Sequence, residues 1–319
     1  MPSNGFLENW SSTVISGFVR KAFLASVLPS RVAREGGRRM TNVRNCPRFS
    51  IVLVVVFPLL SLLLAAQEKK EVSYTVKRRA VISITNDYGP ITVTPSGNRQ
   101  VVVTTVSRSD AVSFVNEQHG NRVALRSMST RQGPALVDYT VLVPADAIVT
   151  LRSSDGALHA QGLRGDVILE AATASVAVTD MSDAHLHVKT LSGPISLSAI
   201  RNCRLDVQSV NGPVNLHDVT GSSVEVNSGG GRIMYEGDPG SAGEYLLTSH
   251  SGDLEISIPA SAVVEIETQS LKDDIDQGFP NAGSAREMGQ RNLLLNAGTV
   301  SASRFVLHSF RGKIHVKRP

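Results

Sequence analysis

The chain is poor in the residues that usually carry chemistry or cross-links. It has two cysteines and one tryptophan, and aromatics make up 5% of its 319 residues. So few scattered rings exclude a nucleic-acid stacking platform. Zinc-type Cys/His spacing is missing, as are phosphate loops and dinucleotide fingerprints. No serine is framed by a glycine-rich strand-to-helix elbow. Strong helical periodicity is absent throughout. No cofactor is expected.

The longest apolar run, Ile51–Ala66, falls short of the roughly 20 residues a membrane-spanning helix needs and contains Pro58. A basic start with Arg44 and Arg48, this run and a small-residue end have the form of a secretory signal peptide, residues 40–66, cleaved after Ala66. The alternative is an uncleaved N-terminal anchor, and the membrane is expected as a partner only in that case. Because Met40 precedes the basic region, residues 1–39 read as an upstream extension beyond the true start. Export to the periplasm, the envelope or the outside follows from this reading. Residues 1–66 hold eight of the 32 basic and two of the 28 acidic residues, leaving 24 and 26 and a net charge of −2. The pI of about 9.2 therefore belongs largely to residues 1–66, and no nucleic-acid partner is expected. Cys46 precedes the apolar run, away from where a lipid-modified cysteine would stand. Cys203, alone in the mature chain, excludes an internal disulfide and reads as a small buried residue at a corner.

What the sequence does have is a phrase recurring about every 18–19 residues. With Gly156, Ala174, Gly193, Gly212, Gly231, Gly252 and Gly312 as position zero, apolar residues stand at −7, −5, +2 and +4. Val149, Val167, Leu186, Leu205, Val224, Tyr245 and Phe305 fill −7. Small residues fill −3, from Ser153 to Ser309. An earlier copy surrounds Gly89, and a further apolar site falls at +7 in Leu163, Met181, Ile200 and Val219. Repetition of this length signals stacked units that bury apolar edges against their neighbours. Within a unit the period is two, so −7 and −5 face inward while −6 and −4 face outward. The zero glycine marks a corner, where bulk would clash and positive φ is a candidate requirement. The expected fold is all-β: a parallel β-solenoid-like stack of about 19-residue coils, with a looser N-terminal β region. Residues 67–148 form that region and cap, 149–259 the regular coils, and 260–319 an irregular coil, an insertion and a closing coil. Residues 111–135 suggest a hairpin-like insertion. The competing architecture is an antiparallel sandwich.

The run from Val137 through Asp180, the phrases LSGPISL and VNGPVNL and the closing FRGKIHVKR resemble the bacterial β-strand-repeat family described as domain of unknown function 4097, a candidate adhesin. The similarity spans about residues 80–319. The resemblance implies an exported or envelope-associated β-repeat protein and supplies no catalytic residues.

Stacking brings equivalent outward residues together, and at −6 the sequence places His187, Asp206 and Glu225 on successive rungs. Adjacent carboxylates beside an imidazole can bind a divalent cation or serve acid/base chemistry; the competing reading is an exposed polar face. No catalytic, cofactor or metal residue is assigned, and this column is the weak candidate. His159 and His315 share +3 at opposite ends of the array, His185 could join the His187 column, and His217, His250, His308 and His119 stand alone. The stretch Lys272–Asp276 reads as an acidic surface loop rather than a calcium loop. The −3 serines are expected to bond backbone at the corners. The function expected is a non-enzymatic, adhesion-like binding or scaffold module of the cell envelope, with a glycan or envelope protein as partner. The alternatives are a polysaccharide-acting hydrolase or lyase using Asp206 and Glu225 with His187 assisting, or an envelope stress-sensing component.

Overall fold

A computed structural model describes residues 68–108, 112–130, 133–134, 136–271, 275–277, 290–295 and 302–317. The leader, the upstream extension and Lys272–Asp274 lie outside the described residues. Among those described every regular element is a strand. The first four are β1 (Glu68–Thr75), β2 (Val81–Thr85), β3 (Ile91–Ser96) and β4 (Gln100–Ser107). Next come β5 (Val112–His119), β6 (Arg122–Ser129), β7 (Val137–Pro144), β8 (Ile148–Ser153) and β9 (Leu158–Gln161). The array continues with β10 (Val167–Ala171), β11 (Val176–Thr179), β12 (His185–Thr190), β13 (Ile195–Ser209) and β14 (Val214–Ser228). Then follow β15 (Ile233–Glu236), β16 (Glu244–Ser249), β17 (Leu254–Ser257) and β18 (Val264–Ser270). The last are β19 (Ile275–Gln277), β20 (Gln290–Leu295), β21 (Ser303–Ser309) and β22 (Ile314–Lys317).

The fold is the parallel solenoid-like stack that the period requires. Strands before the corner stack on one face, with Val149, Val167, Leu186, Leu205, Val224, Tyr245 and Phe305 directly opposite one another. Strands after the corner stack on a second face, with Leu158, Val176, Ile195, Val214, Ile233, Leu254 and Ile314 in line. The Gly89 coil joins in the same register, Ile82 against Val149 and Ile91 against Leu158. These columns and the +7 residues Leu163, Met181, Ile200 and Val219 are buried and form one core. Tyr245 and Phe305, successive rungs of the −7 column, stack with ring centroids 4.4 Å apart, the spacing that parallel strands impose. Tyr235 meets both rings edge-on. Burial pushes the Tyr245 hydroxyl up to about 12, and that hydroxyl donates to the Pro239 carbonyl.

The ends of the stack depart from chain order. β6 pairs parallel with β2, and β7 parallel with β3, so residues 122–144 form a coil outside the Gly89 coil. Antiparallel strands then finish that end: β5 on β6, β4 on β7 and β1 on β4. The expected hairpin is thus β5–β6, with β6 also a rung of the stack. At the other end the closing copy does not close the array. β21 pairs with β16 on one side and with β18 on the other, and β22 lies likewise between β17 and β19. The stretch read as an irregular coil, Val264–Ser270, is a regular rung with Ile266 opposite Phe305 and Ser270 opposite Ser309. β20 pairs antiparallel along its outer edge.

The corner glycines are required by close approach, and of them only Gly89, with φ of 93°, also takes positive φ. A Cβ at Gly193 would lie 1.8 Å from the Ala174 carbonyl oxygen, and one at Gly212 would lie 2.0 Å from the Gly193 carbonyl oxygen. In the regular coils positive φ falls at +6, where Asp180, Ala199 and Asp218 have φ of 56°, 53° and 50°. Gly193→Ala is expected to cost about 3 kcal/mol, since the clash is with backbone that holds the next coil. Gly97→Ala, with nothing within 4 Å of the added carbon, should melt like the parent; equal melting of the two variants would refute the steric reading.

Candidate functional site

The outward face before the corner holds the −6 column. Parallel pairing places His187 opposite Asp206, and Asp206 opposite Glu225. The imidazole and the first carboxylate meet, with Nδ1 of His187 3.0 Å from Oδ2 of Asp206, both side chains about one-third exposed. Asp206 also accepts from the Gln208 amide at 3.4 Å. Glu225 turns along its own strand and accepts from Nδ2 of Asn227 at 2.9 Å. The column therefore splits into a His–Asp pair and a Glu–Asn pair. Among the described residues no group of three His, Cys, Asp or Glu side chains is arranged to hold a metal ion.

The rest of this face is laced by pairs between rungs. Arg152 donates to Glu170 from Nε at 2.7 Å, and Arg304 donates to Glu267 at 2.9 Å. Hydrogen bonds to Glu267, then the charges of Glu267, Glu265 and Glu244, raise the Arg304 guanidinium above its ordinary value. An open depression of about 330 Å³ lies over Glu225, Glu244, Leu246 and Arg304. A second, of about 280 Å³, lies over Asn202, Ser222 and Gly240. Neither contains a nucleophile held by a base.

Other histidines differ from their sequence reading. His185 stands in the −8 column opposite Arg204, not with His187. His217 does not stand alone: its ring nitrogens lie 3.4 Å from Asp218 and 3.8 Å from Glu236. His315 meets Asp276 at 3.4 Å, a contact created by the insertion of β22 beside β19. His250 packs on Phe310 with centroids 5.5 Å apart. Cys203 is buried, and burial raises its thiol, which leaves it poorly nucleophilic. The −3 serines bond the corners as expected: Ser209, Ser228, Ser249 and Ser309 donate to the carbonyls of the zero glycines at 2.6–2.7 Å. At Ser153 and Thr190 the direction reverses, the glycine N–H donating to the hydroxyl.

Stacked parallel coils with polar outer ladders and a shared core define a β-solenoid repeat protein. The chain belongs to the Toastrack DUF4097 family, whose model matches residues 80–302. No curated protein matches this sequence. Among solved structures it is similar to a candidate adhesin from Bacteroides fragilis at 12% identity, TM-score 0.44, over 80% of this chain and 99% of the other. It is also similar to a candidate lipid-binding protein from Parabacteroides distasonis at 11% identity, TM-score 0.40, over 80% and 98%. A candidate cell adhesion protein from Clostridium sporogenes matches at 10% identity, TM-score 0.26, over 79% and 100%.

Proposed function

We propose that the protein is a non-enzymatic binding module of the cell envelope, exported by its apolar leader, with an extended glycan or envelope protein as partner. One observation carries this reading. The outward polar groups form flat ladders whose members are paired with one another along and between rungs, as in His187–Asp206 and Glu225–Asn227. Catalysis of glycosyl transfer needs two carboxyls aimed at one bond, whereas here one is held by an imidazole and the other by an amide. A row of side chains at about 4.8 Å intervals instead suits a partner with its own repeat.

Residues 67–319 contain every described strand and are the material for the test, a glycan array run beside a hydrolase and lyase panel. Binding without turnover is expected, and it should survive Asp206→Asn and Glu225→Gln. Turnover abolished by those changes, in a variant that melts like the parent, would replace the binding module with an enzyme.

A further inference from the structure

Charge is divided unevenly along the outward face before the corner. From end to end this face runs through β6, β2, β8, β10, β12, β13, β14, β16, β21 and β18, ten rungs in register. Several of its charges are committed within the chain: Arg152 to Glu170, His187 to Asp206, and Arg304 to Glu267. The remainder is segregated. On β6, Arg122 and Arg126 are exposed and form no ion pair among the described residues. On β14, β16 and β18, Glu225, Glu244 and Glu265 are exposed and likewise outside any ion pair. Glu244 and Glu265 flank Arg304, whose guanidinium Glu267 holds. Arg204, also uncommitted, stands near the middle on β13, and Glu117 lies beyond the strip on the edge strand β5.

Apolar side chains reach this outer surface as well. Ile168, Leu246 and Val306 occupy the −6 column, each half-buried. Ile168 is one rung before His187, and Leu246 is two rungs after Asp206. The face therefore has a basic end, an acidic end and apolar groups on both sides of the His187–Asp206 pair. Such a surface is complementary to itself turned end for end. We infer that two copies of this chain pair through the face before the corner, antiparallel about a two-fold axis at the His187 and Asp206 rungs. Arg122 and Arg126 of each copy then lie over the Glu244 to Glu265 rungs of the other, with Ile168 of each close to Leu246 of the other. This goes beyond the binding reading above. It fills one polar face with a second copy and leaves the face after the corner to the glycan or envelope protein.

Polarity selects the occupant. A polyanion would find uncommitted arginines at one end and uncommitted glutamates at the other, and a polycation would meet the same mismatch reversed. A two-fold interface uses one self-complementary patch on both copies, and this face provides it. The parallel face-to-face arrangement would set arginine on arginine and glutamate on glutamate. Nine steps of about 4.8 Å and a width of five residues at about 3.3 Å offer roughly 700 Å² per copy. Doubled, that falls within the roughly 1,200–2,000 Å² of a stable interface.

The full chain, expressed and processed by a bacterial host, is to be weighed by sedimentation equilibrium. The expected mass is that of two copies, and a mass of one copy would overturn the inference. Arg122→Glu with Arg126→Glu should weaken pairing at least a hundredfold, as should Glu244→Lys with Glu265→Lys in a second chain, because each sets like charges together. Mixing the two variant chains should restore pairs, since every end then meets the opposite sign. No restoration from variants that melt like the parent would overturn the inference. A second measurement leaves every charge in place. Spin labels are attached through Gln208→Cys or, separately, Ala124→Cys, in a Cys46→Ser background where Cys203 is buried. The antiparallel pair puts Gln208 labels within about 20 Å of each other and Ala124 labels roughly 43 Å apart, nine rungs of about 4.8 Å. Short distances at both positions would mean a parallel pair, and no short distance at Gln208 would mean pairing elsewhere. Either result rejects the antiparallel pair.

Discussion

Truncation before Ser303 abolishes cooperative folding of the stack. The lost strands, β21 and β22, are interior rungs whose removal opens a slot between β16–β17 and β18–β19. Phe305, Leu307, Ile314 and Val316 are buried there. At about 1.5–3 kcal/mol each, their loss removes roughly 6–12 kcal/mol, comparable to the whole stability of a typical domain. A terminal rung could be trimmed at much lower cost, since only one neighbour would lose its partner. Circular dichroism and thermal melting of residues 67–302 against 67–319 make the comparison. A sharp, native-like melt of the shorter chain would mean that the last coil is peripheral.

Charge explains why this segment finds its slot. Arg304 stands between Glu244 and Glu265 on the flanking rungs and pairs with Glu267. On the other face Lys317 donates to Glu255 at 2.6 Å, His315 meets Asp276, and the Lys313 N–H bonds the Asp253 carboxylate. Exposed pairs of this kind contribute little to stability, well below the apolar contribution. They select register and neighbour, and burial supplies the stability.

The columns were legible in the sequence because a fixed period states which residues stack without any knowledge of handedness or packing. The order of rungs was not. Exchanging two adjacent coils leaves every column intact, and Val264–Ser270 disguised itself with a polar Thr268 at −5 and no glycine three residues after Ser270. The −5 threonine is nonetheless fully buried opposite Leu307. Left-handed backbone was misplaced for a related reason: at +6 the residue is glycine, aspartate or alanine, so no single type marks the turn, whereas the conspicuous glycine answers to a neighbouring carbonyl. The candidate column was half legible. Register predicts that His187 and Asp206 are adjacent, but whether Glu225 reaches across to Asp206 or along to Asn227 depends on a rotamer that spacing does not encode.

Val207→Asp should be the most damaging single substitution in the regular array, with Val188→Asp close behind. Val207 has no exposure and lies between Val188 and Val226 on the neighbouring rungs. A carboxylate there has apolar partners on both sides, so it must be buried charged or be protonated at a comparable cost. The expected loss exceeds about 4 kcal/mol, the range reserved for unpaired buried charge and large cavities. Because each coil is held by its two neighbours, disruption at mid-stack propagates in both directions. The adjacent outward residues provide the contrast: Lys189→Ala and Gln208→Ala should each stay within about 1 kcal/mol of the parent, as surface changes do. Urea midpoints of the four variants decide the matter. If the two aspartates and the two alanines shift the midpoint alike, the inward and outward columns are misassigned, and the apolar interior that defines this fold is not where the register puts it.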